Sequence, residues 1–179
     1  VPNASMVPVM LDWFTSLLPE DGSITIEDLS DETSILALQG PASSRIISEV
    51  IGEDNSVNRF ACREIAKNSL GISGWIQGTG YTGERGYEIF VSNQQAPALW
   101  NALLGAVHVY GLVPAGLGAR DTLRLEKGHL LSGQDCLWPG LGEVAEEYLP
   151  ADFLTRDIAE TAVPFDLALQ HEFIGTTRG

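Results

Sequence analysis

The spacing of apolar and polar positions predicts a chain of short helices and strands in mixed order. Four stretches carry apolar side chains at the three- and four-residue spacing of one helical face. They are residues 7–18, the segment that Pro41 opens, residues 94–107 and residues 119–126. Pro19 follows the first stretch and Gly128 follows the last, and both residue types are common just beyond the end of a helix.

Short runs with strand character lie between the predicted helices. Their predicted positions are residues 23–28, 35–38, 63–67, 72–77 and 87–91. Several of these runs are joined by connections of hairpin size, and they do not form a regular strand–helix–strand repeat. We therefore predict an α+β fold with a mostly antiparallel sheet and packed helices.

A glycine pattern at residues 78–83 matches the dinucleotide-binding fingerprint GxGxxG. That fingerprint needs a strand before it and a helix after it, so that the pyrophosphate meets the helix N-terminus. Residues 84–91 predict a strand instead of a helix. We therefore interpret the glycines as part of a hairpin turn, where a positive φ or a close backbone approach is required.

The composition makes some partners improbable and leaves others open. The 179 residues include 10 basic and 24 acidic side chains, which gives a net charge of −14. This charge argues against a non-specific nucleic-acid surface, because the phosphates would be repelled. No apolar run approaches the roughly 20 residues of a membrane-spanning helix, so no membrane partner is expected. An anionic small molecule remains possible, since it needs only one local basic site.

Neither the cysteines nor the histidines suggest a metal site. Cys62 and Cys136 lie far apart in the sequence, and the three histidines do not have ligand-like spacing. The N-terminal residues lack the charged and apolar regions of a secretory signal. We therefore expect reduced thiols and a cytoplasmic location, or the mitochondrial matrix if the protein is eukaryotic.

Four sequence blocks occur in a fixed order along the chain. Residues 36–41, 80–89, 116–126 and 127–135 read LALQGP, GYTGERGYEI, GLGARDTLRLE and KGHLLSGQD. In order and spacing they resemble the aminomethyltransferase family, which includes the T-protein of the glycine cleavage system. The resemblance covers residues 1–135 and resumes weakly over 157–175. It implies a folate-binding domain at 1–135, incomplete at its N-terminus, and the start of the next family segment within 136–179. Residues 143–172 hold eight acidic side chains and one basic one, which indicates an acidic excursion in that part.

The resemblance places folate- or substrate-binding residues at Glu88 and Arg120. A carboxylate accepts hydrogen bonds from the adjacent amino and ring N–H groups of a pterin, and a guanidinium donates a rigid fork to a carbonyl or carboxylate. From the residues alone, Glu88 also fits a solvated strand glutamate. Arg120 also fits a helix-surface arginine that pairs with Asp121 or Glu126. Arg124 lies one turn on, but the family pattern selects Arg120.

Three further positions match family motifs, namely Tyr81, Asn3 and Asp135. By resemblance, Tyr81 offers its aromatic face or its hydroxyl to the folate, and ordinary core packing is the alternative. Asn3 resembles an asparagine that lines the folate channel, and a helix N-cap is the alternative. Asp135 belongs to a turn that resembles the family's Gly-Asn/Gln-Asp turn, and we expect it to support the site by capping backbone donors.

The resemblance implies transfer of a one-carbon unit from an aminomethyl group on a lipoyl carrier protein to tetrahydrofolate, with release of ammonia and without a metal. Sarcosine- and dimethylglycine-oxidising enzymes and related demethylases carry a similar folate module, and this alternative stays open. A non-catalytic folate-binding factor for iron–sulfur assembly fits less well, because His129 stands where those relatives have cysteine. A degraded fragment that binds nothing is the fourth interpretation.

The resemblance assigns no catalytic residue to this chain. The family's catalytic aspartate corresponds to a position upstream of Val1, and the family's C-terminal barrel lies beyond the segment at 173–175. The segment between Asp135 and Asp157 is also longer than the family usually has. We therefore expect this chain to be the central piece of a longer transferase and to be inactive when isolated.

Overall fold

The computed structural model describes residues 1–2 and 4–131. The helices of this part of the chain are α1 (Val7–Ser16), α2 (Ser43–Ile51), α3 (Ala96–Gly105), α4 (Val107–Tyr110) and α5 (Leu117–Lys127). Its strands are β1 (Thr33–Gln39), β2 (Cys62–Glu64), β3 (Gly74–Gln77) and β4 (Gly86–Ser92). Two 3₁₀ turns, Ala4–Met6 and Glu53–Asn55, complete the elements. Asn3, Asp135, Cys136 and the acidic segment at 143–172 lie outside the described residues.

The four strands form one antiparallel sheet in the order β1-β4-β3-β2. β4 lies inside the sheet, because Tyr87–Val91 pairs with β1 on one side and β3 on the other. β1 and β4 are distant in sequence, because α2, β2 and β3 lie between them along the chain. Their pairing places β1 at the edge of the sheet, beside β4. The predicted α+β fold with a mostly antiparallel sheet is confirmed.

Most of the predicted elements are present, with shifted ends. α1 ends two residues earlier than predicted, β2 covers only the start of the predicted 63–67, and β3 begins at Gly74 rather than at 72. The prediction of a strand at 23–28 is wrong: these residues are exposed and form no strand. Alternation alone does not make a strand, because its backbone groups need a neighbouring strand to bond with.

One face of the sheet and two helices enclose the core. Side chains from alternate positions of β4 meet the apolar stripe of α2 and the inner face of α3. The least exposed members are Ile46, Ile47 and Ile51 of α2, Ile76 of β3, Tyr87, Ile89 and Val91 of β4, and Leu99 of α3. Trp100 of α3 is 46% exposed, so the buried stripe of that helix is narrow.

The buried Tyr87 joins three elements through its hydroxyl. Its oxygen lies 3.0 Å from the Ser44 hydroxyl on α2 and 2.9 Å from the Ser56 hydroxyl beyond the second 3₁₀ turn. Burial alone would raise the pKa of the phenol, but hydrogen bonds from Ser44, Ser56 and Arg85 outweigh it and hold that pKa below its usual value. The tyrosine therefore links β4, which carries Glu88, to α2 and to the segment after the second 3₁₀ turn.

Replacing Tyr87 with phenylalanine is expected to lower the free energy of unfolding by about 1–2 kcal/mol, because two part-buried serine hydroxyls lose a partner. Chemical denaturation monitored by tryptophan fluorescence measures this loss. Tyr110→Phe is the matched control, because its hydroxyl bonds to Glu49 at the surface, and it should cost less than about 0.5 kcal/mol. Equal losses of unfolding free energy in the two variants would contradict a stabilising role of the Tyr87 hydroxyl.

Candidate binding site

Glu88 stands on the sheet face that points away from the core. Its strand neighbours Tyr87 and Ile89 are fully buried, whereas Glu88 is half-buried on the other face. Ala37 of β1 and Gln77 of β3 lie directly beside it in the sheet register. The carboxylate is thus held on a rigid central strand with a small side chain on one side and an amide on the other.

Thr79, just after β3, contacts this carboxylate. Its hydroxyl donates to Oε2 of Glu88, and the side-chain oxygen of Gln77 lies 3.4 Å from the same hydroxyl. Within residues 1–2 and 4–131, no hydrogen bond or ion pair reaches the other carboxylate oxygen, Oε1. Among the described residues, Thr79 therefore holds one oxygen of Glu88, and none of them occupies the other, which can accept from a ligand.

Gln39, at the end of β1, ties the surrounding loop together. Its amide nitrogen donates to the carbonyls of Thr79 at 3.1 Å and Tyr87 at 3.3 Å. Its amide oxygen accepts from the Thr82 hydroxyl at 3.0 Å. A side chain at Gly80 would collide with this amide, since a Cβ there would lie 1.9 Å from the Gln39 oxygen. Gly80 of the motif thus leaves room for Gln39.

Tyr81 connects the same loop to the end of α5. Its hydroxyl donates to the carbonyl of Leu130 at 2.5 Å, its ring stacks on His129 at 5.4 Å, and the Arg120 guanidinium lies 4.7 Å from its ring centroid. The hydroxyl and the ring are therefore already engaged by the protein's own groups. Direct contact of Tyr81 with folate stays a prediction.

The two arginines of α5 occupy different environments. Arg120 is exposed and lies over the Tyr81 ring. Arg124 is 1% exposed; its guanidinium forms an ion pair with Asp121 at 2.6 Å and donates to the carbonyl of His129 at 3.2 Å. Arg124 therefore braces the end of α5, and Arg120 is the more accessible of the two to a ligand. Its binding role remains a prediction.

α5 also contacts the loop through its last residue. A Cβ at Gly83 would lie 2.4 Å from the side chain of Lys127, so the lysine stem lies against that glycine. Together with Arg120 over Tyr81, this contact places two basic side chains of α5 against the loop that leads into β4. The local positive charge suits an anionic ligand despite the negative charge of the whole chain.

A cavity of about 310 Å³ lies beside these groups. Thr79, which contacts Glu88, and His129, which stacks on Tyr81, are part of its wall. Phe60 and Arg59 form another part, and Phe60 adopts a left-handed φ of 63° that a phenylalanine rarely takes. The volume is at the lower end of the range for small-molecule sites.

The structure brings three of the five predicted site residues into one region. The loop that follows β3 joins them, because its Thr79 contacts Glu88 and its Tyr81 lies against Arg120. Asn3 and Asp135 lie outside the described residues. Thr79 and Gln39 were not predicted as site residues from the sequence. Gln39 lies inside the block at 36–41 and Thr79 directly precedes the block at 80–89, but their role depends on the pairing of β1 with β4.

The described residues contain neither a candidate metal site nor a candidate membrane-spanning helix. Across residues 1–2 and 4–131, no group of three or more His, Cys, Asp or Glu side chains is placed to hold a metal ion. In that same part of the chain, no helix has both the length and the apolar character needed to cross a membrane. Cys62 is exposed on β2, and its pairing with Cys136 is not defined by the described residues.

Comparison with known proteins identifies aminomethyltransferases among the relatives of this chain. Aminomethyltransferases from Chlorobium limicola, Geobacillus and Picosynechococcus are 40%, 34% and 36% identical to this chain over 137, 164 and 167 residues. The matches cover 75%, 88% and 90% of this chain, but only 37%, 44% and 45% of the relatives. This chain thus spans less than half the length of the proteins it matches.

A family model for the GCVT N-terminal domain matches residues 1–137. The match includes all of the described elements, from the first 3₁₀ turn to α5, and with them Glu88 and Arg120. The antiparallel sheet with packed helices is consistent with that domain. The chain therefore belongs to the GCVT N-terminal domain family, the family of the glycine cleavage T-protein.

Proposed function

We propose that this chain supplies the tetrahydrofolate-binding part of an aminomethyltransferase of the glycine cleavage system. The observation that carries the proposal is the half-buried carboxylate of Glu88: Thr79 holds one of its oxygens, and no residue in the described part of the chain bonds to the other. The names of the relatives support the reaction class. The complete reaction belongs to a protein longer than this chain.

Glu88 is suited to the pterin end of the ligand. The 2-amino group and the adjacent ring N–H of a pterin are two parallel donors, and a carboxylate accepts both at once. Because the carboxylate is on a central strand, its position is fixed before the ligand arrives. The basic side chains of α5 then provide attraction for the negatively charged part of the folate.

In the proposed reaction, an aminomethyl group is carried on the sulfur of a lipoyl carrier protein. The carbon–sulfur and carbon–nitrogen bonds of the aminomethyl group and two N–H bonds of tetrahydrofolate break, and the carbon forms the two C–N bonds of the methylene bridge. The two hydrogens leave with ammonia and with the free thiol. The residues of this chain bind and orient the folate, and the group that assists the nitrogen attack is proposed to lie elsewhere in the longer protein. We further propose a cytoplasmic location, or the mitochondrial matrix in a eukaryote.

Replacing Glu88 with alanine is expected to weaken tetrahydrofolate binding about 10- to 100-fold, because a hydrogen bond to a charged group is worth about 1.5–3 kcal/mol. Isothermal titration calorimetry on the complete gene product measures the affinity. The matched control is Glu64→Ala, which removes an exposed glutamate from the same sheet face at its edge strand. Unchanged affinity in Glu88→Ala would remove this residue from the site.

The substrate of the transfer is tested separately. The complete gene product, given tetrahydrofolate and an aminomethylated lipoyl carrier protein, should release ammonia and form methylenetetrahydrofolate. The same protein given sarcosine or dimethylglycine should release no methylene unit. Binding of tetrahydrofolate with turnover of the methylated amines alone would favour the oxidising enzymes, and binding without turnover of either substrate would favour a non-catalytic folate protein.

A further inference from the structure

The carboxylate of Glu88 is held by a hydroxyl that no sequence motif assigned to the site. Thr79 follows the last residue of β3 by two positions, and its hydroxyl donates to Oε2 of Glu88. A threonine hydroxyl has one proton, so it can make one such donation. The alternative acceptor, the side-chain oxygen of Gln77, is 3.4 Å away and makes at best a weak contact. The Thr79 hydroxyl therefore donates its proton to Glu88 rather than to Gln77.

This contact restricts the carboxylate without blocking it. Each carboxylate oxygen has two lone-pair sites, so Oε2 can accept from Thr79 and from a ligand at the same time. A glutamate side chain otherwise rotates broadly about its last torsion. Fixing Oε2 therefore sets the plane in which both oxygens meet two parallel N–H groups.

Thr79 is itself fixed relative to Glu88 by one side chain of another strand. The amide nitrogen of Gln39 donates to the carbonyl of Thr79 at 3.1 Å and to the carbonyl of Tyr87, the residue before Glu88, at 3.3 Å. One amide thereby ties together the two backbone segments that carry the hydroxyl and the carboxylate. A Cβ at Gly86 would lie 2.4 Å from this amide, so the two hydrogen bonds of Gln39 require glycine at that position.

We propose that Thr79 is a positioning residue that orients the Glu88 carboxylate toward the paired N–H groups of the pterin. The proposal rests on the proposed function, because the ligand is tetrahydrofolate. It assigns no chemistry to Thr79, since the threonine acts only through Glu88. It also explains why the residue between the two glycines at 78 and 80 has a hydroxyl placed against β4.

The test compares two substitutions in the complete gene product. Thr79→Val keeps the shape of the side chain and removes the donor, whereas Thr79→Ser keeps the donor. Thr79→Val should weaken tetrahydrofolate binding about tenfold, and Thr79→Ser should stay within about twofold of wild type. Thr122→Val, on the exposed surface of α5, controls for a general effect of the substitution and should leave the affinity unchanged. Equal affinities for the two Thr79 variants would overturn the proposal.

A ligand analogue separates orientation of the carboxylate from damage to the fold. The 2-desamino-2-methyl analogue of tetrahydrofolate lacks one of the two donors, so it gains little from a correctly oriented carboxylate. Thr79→Val should therefore weaken binding of the analogue by less than about threefold. If the analogue and tetrahydrofolate lose affinity by the same factor, the role of Thr79 is structural and the proposal fails.

A measurement without ligand keeps this proposal distinct from the proposed function. In protein labelled with ¹³C-glutamate, the carboxyl resonance of Glu88 is identified by its loss in Glu88→Gln. Thr79→Val should shift this resonance and Thr79→Ser should not. If the wild-type protein does not bind tetrahydrofolate, the proposed function fails and the resonance alone decides whether Thr79 positions the carboxylate. An unmoved resonance in Thr79→Val overturns the proposal even where folate binds.

Discussion

Replacing Gly74 with alanine is expected to lower the free energy of unfolding by about 3–5 kcal/mol, which places it among the most damaging single substitutions. Gly74 begins β3 with a φ of +140°, a backbone conformation that residues with a side chain rarely adopt. A Cβ there would lie 1.9 Å from the carbonyl oxygen of Phe90. The obstacle is backbone, so it cannot be relieved by a side-chain rotation.

The damage is expected to spread from β3 to the candidate site. Gly74 lies opposite Val91 in the ladder, and its carbonyl accepts from the backbone of Ile65 at 2.9 Å. Shifting Gly74 therefore disturbs both neighbours of β3 and, through β4, the position of Glu88. Chemical denaturation measures the loss of stability, and amide hydrogen exchange should show faster exchange in β3 and β4 than in α3.

Gly105→Ala is the matched control for this substitution. Gly105 ends α3, its φ is outside the positive region, and no atom lies within 4 Å of the position that a Cβ would take. Because alanine favours a helix over glycine, this variant should be neutral or more stable by up to about 1 kcal/mol. A loss of less than about 1 kcal/mol in Gly74→Ala would contradict the close approach of β3 and β4.

The local elements of the fold could be predicted from the sequence because their signals are local. From Tyr87 onward, β4 alternates between buried and half-buried residues, and α5 ends where Gly128 adopts the left-handed conformation. The sheet order could not be predicted, since the pairing of β1 with β4 joins residues that are about fifty positions apart. The same limit explains the wrong strand at 23–28, where the pattern was present and a neighbouring strand was not.

In the candidate site, too, the residues in local motifs could be predicted and the contacts between distant segments could not. The resemblance selected Glu88 and Arg120 directly, because each lies in a recognisable block. Thr79 and Gln39 were missed, because the bond of Thr79 to Glu88 and the bond of Gln39 to Thr79 exist only after β1, β3 and β4 have come together. Tyr81 was recognised, but its engagement with Leu130, His129 and Arg120 was not, since that contact depends on how α5 packs against the loop.

α1 presents a further case in which the local pattern was correct and its packing was not foreseen. The helix forms where its apolar stripe predicts it, yet it contributes no buried residue within the described part of the chain. Trp13 is 55% exposed and Leu17 is 64% exposed. The amphipathic pattern identifies a helix, but a helical pattern alone does not say which surface covers its apolar face.

Replacing the two arginines of α5 with methionine is expected to separate stability from ligand binding. Arg124→Met should lower the free energy of unfolding by about 3 kcal/mol, because the buried guanidinium bonds to Asp121 and to the carbonyl of His129. Methionine fills a similar volume but supplies no donor, so the carbonyl of His129 loses its hydrogen bond from the Arg124 side chain. Chemical denaturation measures this loss.

Arg120→Met should reduce ligand affinity and leave the stability almost unchanged. The side chain is exposed and lies over the Tyr81 ring, so its removal should change the free energy of unfolding by less than about 1 kcal/mol. If the family position is correct, tetrahydrofolate affinity should nevertheless fall about tenfold or more, since a charged donor is lost from the site. Each arginine serves as the other's control, because both substitutions remove one positive charge from the same helix. If Arg124→Met lost affinity without losing stability while Arg120→Met changed neither quantity, Arg124 would be the ligand-binding arginine, and the assignment by family motif would be wrong.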